Sequence, residues 1–347
     1  MNKFAIGVDL GGTSLRIAAV ESTGKILEKI TTGTEVARGR ERVIDEMCAA
    51  VRSLALKFRP SEDLAGIGVG VPGIIDMATG MLRESPNLPG WQDYPVREEI
   101  ETRLGTTVVL ENDANAAALG ENWLGAAAGV EDMCMLTLGT GVGGGLVLGG
   151  RIWHGMTGMA AEIGHINVDP EGVPCGCGSR GCLEQYASAT AVKRMALEAI
   201  ATGQAPGLAR AMSQDPEFSS KVVHQMASEG DESARQIFHR VGHALGIGLA
   251  DLINIFNLPM YVLGGGVAAA WDAFAPAMIE TVRSYSYIYR VTTPGENESG
   301  AVRPKAKAER TMITRALLGS DAGLIGAARL PLLAADRRLA RQEVERT

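Results

Sequence analysis

With 347 residues, the chain is long enough for about two domains that bury their own cores without disulfide staples. A net charge of −7, with Lys and Arg spread along the chain, gives no basic field for a phosphate backbone, so nucleic acid is not an expected partner. No apolar run of about 18 residues occurs and a strand-like pattern begins at residue 4, so neither a membrane span nor a secretory leader is expected, and the chain reads as cytoplasmic.

Residues 4–10 alternate toward a glycine turn at Gly11-Gly12 and residues 15–20 resume the alternation, which predicts a β-hairpin. Strand signals return at 25–30. Residues 40–57 set Val43, Ile44, Met47, Val51 and Leu54 at helical spacing, and 65–71 read as a buried strand ending at Pro72-Gly73. A strand at 107–111 leads into a helix-forming run at 114–123. The sequence to about residue 123 therefore has β-β-β-α-β-α-β-α character and predicts an α/β layer.

A second hairpin is expected at 133–150, where Met-Cys-Met-Leu-Thr-Leu meets Gly139-Thr-Gly-Val-Gly-Gly-Gly145 and then Leu-Val-Leu. Thr137-Leu138-Gly139 repeats Asp9-Leu10-Gly11 at an offset of 128 residues. That repetition predicts two related domains, each opening on strand, glycine turn and strand, with a cleft between them. Alanine-rich helical sequence fills 187–201 and 233–256, separated by a polar stretch, 202–231, to which no role is assigned. A strand at 260–263 ends in Gly264-Gly265-Gly266, residues 292–309 read as an exposed connection, and 324–346 as a closing helix. Cys48 and Cys134 fall in helix and strand patterns, where a free cysteine behaves as a small buried hydrophobe.

The segment with the most chemistry runs from Glu162 to Glu184. Cys175, Cys177 and Cys182, with His165 upstream, match the soft thiolate and imidazole donors of a closed, tetrahedral zinc site. A disulfide, which would leave one thiol unpaired, or a chance cluster is the alternative. Glu162 and Glu184 are then either solvated surface carboxylates or groups that a metal fixes on both sides of itself.

Glycine turns let backbone N–H groups approach a phosphate closely. The first, Asp9-Leu-Gly-Gly-Thr13-Ser14, adds a carboxylate able to organise Mg²⁺ through water and hydroxyls able to bond phosphate oxygens; an ordinary tight hairpin is the alternative. The second places Gly139, Gly141 and Gly144 in the dinucleotide pattern G-x-G-x-x-G. That pattern must open a helix, whereas residues 145–149 continue as a strand, which disfavours a nicotinamide-dependent enzyme. No Walker A sequence is present. In Glu111-Asn112-Asp113, Asp113 is either the N-cap of the following helix or a general base for a hydroxyl, and Asn112 offers the donor and acceptor that carbohydrate hydroxyls require.

Taken in order, Asp9-x-Gly-Gly-Thr13, Glu111-Asn-Asp113, Gly139-Thr-Gly141, Glu162-Ile-Gly-His165 and Cys175-x-Cys-Gly-x-x-Gly-Cys-x-Glu184 resemble the ROK family of sugar kinases and sugar-responsive repressors, with a likeness to its bacterial glucokinases over residues 4–330. The resemblance implies an α/β fold of two-domain actin-like ATPase (ribonuclease H-like) type with an interdomain cleft. Residues 1–113 plus 325–347 would form a small domain with the first phosphate loop. Residues 114–324 would form a large domain with the second loop, the zinc site and the adenosine loop.

By the same resemblance, Asp9, Gly11, Gly12 and Thr13 form the first phosphate loop, Gly139, Thr140 and Gly141 the second, and Gly264, Gly265 and Gly266 approach adenosine. Asp113 is the implied catalytic base. Asn112, Glu162, His165 and Glu184 are implied hexose contacts, with Pro72-Gly73 and Asn87 lining the same pocket. His165, Cys175, Cys177 and Cys182 would hold a structural Zn²⁺, one imidazole nitrogen on the metal leaving the other for a sugar hydroxyl. The implied activity is ATP- and Mg²⁺-dependent phosphorylation of a hexose. Asn87-Leu-Pro-Gly-Trp91 inclines toward glucose over N-acetylmannosamine or fructose. Domain closure would exclude water, and the implied assembly is a homodimer or dimer of dimers.

The family's repressors carry a helix-turn-helix before the first phosphate loop; eight residues precede Asp9, so a kinase is expected. One departure is visible. Ala161 stands where the family commonly has glycine, and its methyl group is expected to shift the loop and narrow sugar choice.

Overall fold

The computed structural model describes residues 3–58, 63–292 and 310–344. Strands β1 (Lys3–Leu10), β2 (Ser14–Glu21) and β3 (Ile26–Gly33) form an antiparallel meander. Helix α1 (Arg40–Phe58) turns Val43, Ile44, Met47, Val51 and Leu54 inward at the three- and four-residue spacing of one helical face. β4 (Asp63–Val71) then runs parallel to β1. A small antiparallel pair follows, β5 (Ile74–Asp76) and β6 (Met81–Glu84), which the sequence pattern did not reveal. Helix α2 (Val96–Leu104) ends at Gly105 in a left-handed cap, and β7 (Val109–Asn112), parallel to β4, leads directly into α3 (Asp113–Trp123).

The second hairpin is present as β8 (Met133–Leu138) and β9 (Val142–Leu148), continued by the short β10 (Arg151–Ile152). Five helices follow, α4 (Glu184–Ala187), α5 (Ala189–Ala201), α6 (Pro206–Gln214), α7 (Ser220–Ser228) and α8 (Glu232–Phe256). Two of these occupy the polar stretch 202–231; each buries a narrow apolar stripe, with Leu208 on α6 and Val223 and Ala227 on α7. β11 (Met260–Gly264) runs parallel to β8, and α9 (Trp271–Tyr285) and α10 (Tyr287–Thr292) follow it. β12 (Met312–Arg315) pairs parallel with β11, and α11 (Ala322–Val344) closes the described chain. Beyond Thr292, the connection expected at 292–309 lies outside the described residues. Among the described residues no helix is long and apolar enough to cross a membrane.

The sheets are ordered β3-β2-β1-β4-β7 and β10-β9-β8-β11-β12. Each therefore places its third, second, first, fourth and fifth strands in the same sequence, the structural counterpart of the repeat between Asp9-Leu10-Gly11 and Thr137-Leu138-Gly139. Chain contacts divide the molecule into two compact units: Met1–Glu131, Gly145–Ala160 and Leu317–Thr347 in the first, Asp132–Gly144 and Ala161–Ala316 in the second.

In the first unit, one sheet face packs Phe4, Ile6, Val8 and Ile17 against α1, while the other packs Ala5, Ala18 and Val20 against Leu324, Ala328 and Leu332 of α11. The second face is lined with small residues because α11 lies against the sheet backbone. A β-carbon on Gly68 would occupy the position of the Ala327 carbonyl. α3 joins this unit through the same device: Gly326 of α11 has no room for a side chain against the Ala116 carbonyl.

Candidate functional site

In the first unit, β1 delivers Asp9 to the turn Gly11-Gly12-Thr13, closed by the Gly11 N–H donating to the Ser14 carbonyl at 2.9 Å. Gly12 lies against the Asn87 backbone so closely that a β-carbon has no room. Arg16 Nη1 donates to Asp9 Oδ2 at 3.1 Å. Burial raises the Asp9 pKa above the usual carboxylate value, while the Arg16 guanidinium pulls it back. Gly323, at the start of α11, packs close to the Asp9 carboxylate: a β-carbon there would stand 3.1 Å from Oδ1 and 3.3 Å from Oδ2.

The β7–α3 junction separates two roles that the sequence left open for Asp113. Asn112 is the N-cap, its Oδ1 accepting from the Ala114 and Asn115 N–H groups at 2.9 and 3.1 Å. Its Nδ2 donates to the Gly73 carbonyl at 3.1 Å. Gly73 has φ 115° and presses against the Glu84 carbonyl, a conformation and a space that suit glycine alone. Asp113 is the first helical residue, half-buried, with Oδ1 accepting from the Ala114 N–H at 2.8 Å.

Behind this junction lies Glu111, only 2% exposed. Its Oε1 accepts from the Asn112 N–H and from Asn115 Nδ2, both at 3.0 Å, and its Oε2 lies 2.7 Å from His154 Nε2. The hydrogen bond to Glu111 raises the His154 pKa above its ordinary value, with burial acting in the opposite direction.

In the second unit, the Gly139-Thr140-Gly141 turn is closed by the Gly139 N–H donating to the Gly141 carbonyl at 2.9 Å. Glu184, the first residue of α4, accepts the Val142 N–H at 3.1 Å, and its carboxylate fills the space that a side chain at Gly141 would need. Glu162 immediately precedes the 3₁₀ turn Ile163–His165. Desolvation raises its pKa, the His165 imidazole lowers it, and the Glu184 carboxylate raises it. At the end of β11, Gly265 has φ 87° and lies against the Leu138 backbone, while the Gly266 backbone faces open space.

His165, Cys175, Cys177 and Cys182 converge with their donor atoms all within 4.8 Å of one another. Cys175 Sγ is 3.8 Å from His165 Nδ1, and Cys177 Sγ is 3.7 Å from Cys182 Sγ. A tetrahedron with Zn–S bonds of about 2.3 Å has edges of about 3.8 Å, so the donor set fits Zn²⁺ in chemistry and in spacing. The sequence-adjacent loop achieves this by tight turns: Gly178 and Gly181 have φ 90° and 67°, and the Cys175 N–H donates to the Ser179 carbonyl at 2.8 Å. Because Nδ1 faces the thiols, Nε2 is the imidazole nitrogen directed away from them.

A model of the ROK family matches residues 5–333. The chain belongs to the ROK family. Within it, the chain is 36% identical to a glucokinase of Halalkalibacterium halodurans, over 94% of each chain. It is 40% identical to a glucokinase of Thermotoga maritima, over 81% of this chain and 87% of that one. A solved ROK glucokinase from Streptomyces griseus, in complex with glucose and AMPPNP, superposes with a TM-score of 0.73 and 36% identity, covering 94% of this chain and 98% of that one. The fold is the actin-like ATPase fold of ROK sugar kinases, which accounts for the repeated sheet order.

Of the ROK motif residues, Asp9, Gly11, Gly12, Thr13, Gly73, Asn87, Asn112 and Asp113 lie in the first unit; Gly139, Thr140, Gly141, Glu162, His165, Glu184, Gly264, Gly265, Gly266 and the three cysteines lie in the second. Two participants were missed from sequence. Arg16 pairs with Asp9 from the adjacent strand, and strand alternation after the glycine turn was a signal for it, since Asp9 and Arg16 are register partners. His154 carried no local signal: it pairs with a residue 43 positions away.

Proposed function

We propose that this ROK sugar kinase transfers the terminal phosphoryl group of ATP to the 6-hydroxyl of glucose, giving glucose 6-phosphate and ADP. The observation that carries the reading is the division of labour at the β7–α3 junction. Asn112 supplies the helix cap, and Asp113, the first helical residue, is held at the junction with Oδ1 accepting the Ala114 N–H; a carboxylate so held beside a sugar hydroxyl takes its proton as phosphoryl transfer proceeds. The choice of glucose is supported by the two glucokinase relatives and by the glucose complex of the S. griseus protein.

In this reading Asn87, Gly73, Asn112, Glu162, His165 and Glu184 bind and orient the hexose hydroxyls. The Asp9–Thr13 turn and the Gly139–Gly141 turn present backbone N–H groups to the phosphates of ATP, and Gly264–Gly266 approach its adenosine. Asp9 would hold Mg²⁺ through water, and the ion would neutralise charge on the phosphates when bound. Zinc held by His165, Cys175, Cys177 and Cys182 would be structural, fixing the loop between Glu162 and Glu184 and the imidazole plane of His165. The reaction is assigned to the cytoplasm, where those thiols stay reduced.

The test is ADP release with ATP and Mg²⁺ across glucose, N-acetylmannosamine, N-acetylglucosamine, mannose, fructose and allose at equal concentrations. Strong preference for glucose is expected. Turnover on a different hexose alone would keep the roles of Asp113 and the phosphate turns but move the sugar assignment. Absence of turnover on all six would overturn the reading.

A further inference from the structure

The kinase reading leaves one hydrogen-bonded pair without a role: buried Glu111 and the part-exposed His154. Glu111 is the carboxylate behind the β7–α3 junction, and three groups satisfy it: the Asn112 N–H, the Asn115 side chain and His154. The first two belong to the junction itself. His154 does not: it comes from the Gly145–Ala160 excursion, which enters the first unit within β9 and whose short β10 pairs back on β9. The His154 carbonyl in turn accepts the Ala160 N–H at 3.2 Å, so the imidazole sits on a folded loop and not on a free end.

A carboxylate as buried as Glu111 is costly unless its oxygens are paired, and Oε2 has His154 as its partner. Oε1 holds the amide of Asn112 and the side chain of Asn115, the residues on either side of Asp113 and Ala114. Any rotation of the Glu111 carboxylate to seek another donor for Oε2 therefore moves Oε1 and with it the first turn of α3. A catalytic carboxylate misplaced by a fraction of an ångström loses rate while sugar contacts made elsewhere persist.

We propose that His154 is a positioning residue for phosphoryl transfer: by holding Glu111 it fixes the junction that carries Asn112 and Asp113. The proposal rests on the kinase reading above, and its test separates the two. Steady-state kinetics with glucose are measured for the wild-type chain, His154→Phe (ring kept, N–H lost), His154→Gln (donor kept), Glu111→Gln and the double variant His154→Phe/Glu111→Gln, with thermal unfolding of each. Loss of the N–H in His154→Phe is expected to lower kcat by about tenfold or more, the effect typical of residues that orient a working group. KM for glucose is expected to stay within roughly threefold, because the sugar contacts are not removed. His154→Gln should recover most of kcat, and the double variant should be no slower than the slower single variant, because the two residues act as a unit.

Should His154→Phe fail to fold, His154→Leu, which carries no donor, takes its place with the same expectations. A folded His154→Phe or His154→Leu enzyme with kcat within about twofold of wild type overturns the proposal and leaves the kinase reading standing. Parallel loss of kcat and stability without rescue by Gln overturns it too, showing a purely structural pair. A wild-type chain inactive on every hexose sinks both.

Discussion

The β7–α3 junction and the Cys175–Cys182 loop each present residues assigned to the same substrate, yet they are held by different means. At the junction every connection is a hydrogen bond made by the chain itself: Asn112 to two helix N–H groups and to Gly73, Glu111 to Asn112, Asn115 and His154. In the loop, three thiols and an imidazole face one another at 3.7 to 3.8 Å, weak sulfur contacts whose spacing a tetrahedral cation would suit. Preorganisation in the first region is therefore intrinsic to the fold, and in the second the turns gather a donor set that a metal would lock in place.

The largest effect should come from the first region. Asp113→Ala removes the proposed base and one of the two acceptors of the Ala114 N–H but leaves the Asn112 cap in place, so turnover should fall by about 10² to 10⁴. Glucose affinity measured by equilibrium binding, and the unfolding midpoint, should change little, since Asn112 keeps the helix N-terminus satisfied. Turnover close to wild type would remove Asp113 from the chemistry.

The second region should respond to an agent that leaves the first untouched. Stripping zinc with a chelator, or substituting Cys182→Ser, is expected to weaken glucose binding by roughly 10- to 100-fold, because Glu162, His165 and Glu184 lose their common anchor. Metal analysis of the purified chain should give about one zinc per molecule, as a four-donor site requires. Unchanged glucose affinity in a metal-free protein would uncouple the loop from the sugar, and the contrast drawn above would then concern stability alone.

A third measurement sharpens the intrinsic side of the comparison. Asn112→Ala deletes the cap of α3 and should cost about 1 kcal/mol of stability, visible as a lower denaturant midpoint at an unchanged slope. Asn112→Asp retains a capping oxygen but turns the donor to Gly73 into an oxygen facing the Gly73 carbonyl, so it should keep the cap while losing that bond. Equal losses in both variants would mean that the Gly73 bond, and not the cap, holds the junction.

These regions were also unequally visible in the sequence. The Cys/His set was legible because its ligands lie within 18 residues of one another, from His165 to Cys182, and tight turns alone bring them together. The two glycine hairpins were legible for the same reason, and their repetition foretold the repeated sheet order. At the junction, by contrast, Asn112 and Asp113 are both good capping residues; only the position of the first helical turn decides between them, and the end of β7 sets that position. Glu111 and His154 meet across 43 residues, and Glu121, fully buried, accepts the Leu318 N–H across 197. No local pattern announces such pairs. The helices α6 and α7 were hidden by their polar composition, since each buries too few apolar side chains to stand out from its surroundings.

The smallest expected effect tests strain where the second region begins. Ala161, immediately before Glu162, has φ 69°, in the left-handed region. Asp93 and Asn257 also have positive φ, but Asx side chains tolerate that conformation far better than alanine, whose β-carbon costs about 1 to 2 kcal/mol there. Ala161→Gly relieves this while adding unfolded-chain entropy worth about 0.4 to 1 kcal/mol, so a net stabilisation of about 0.5 to 1 kcal/mol is expected. If the strain also sets the place of Glu162, the glycine variant should raise KM for glucose relative to other hexoses as its stability rises. A more stable enzyme with unchanged selectivity would confine Ala161 to folding. A less stable one would show that its methyl group makes packing contacts worth more than the backbone strain it imposes.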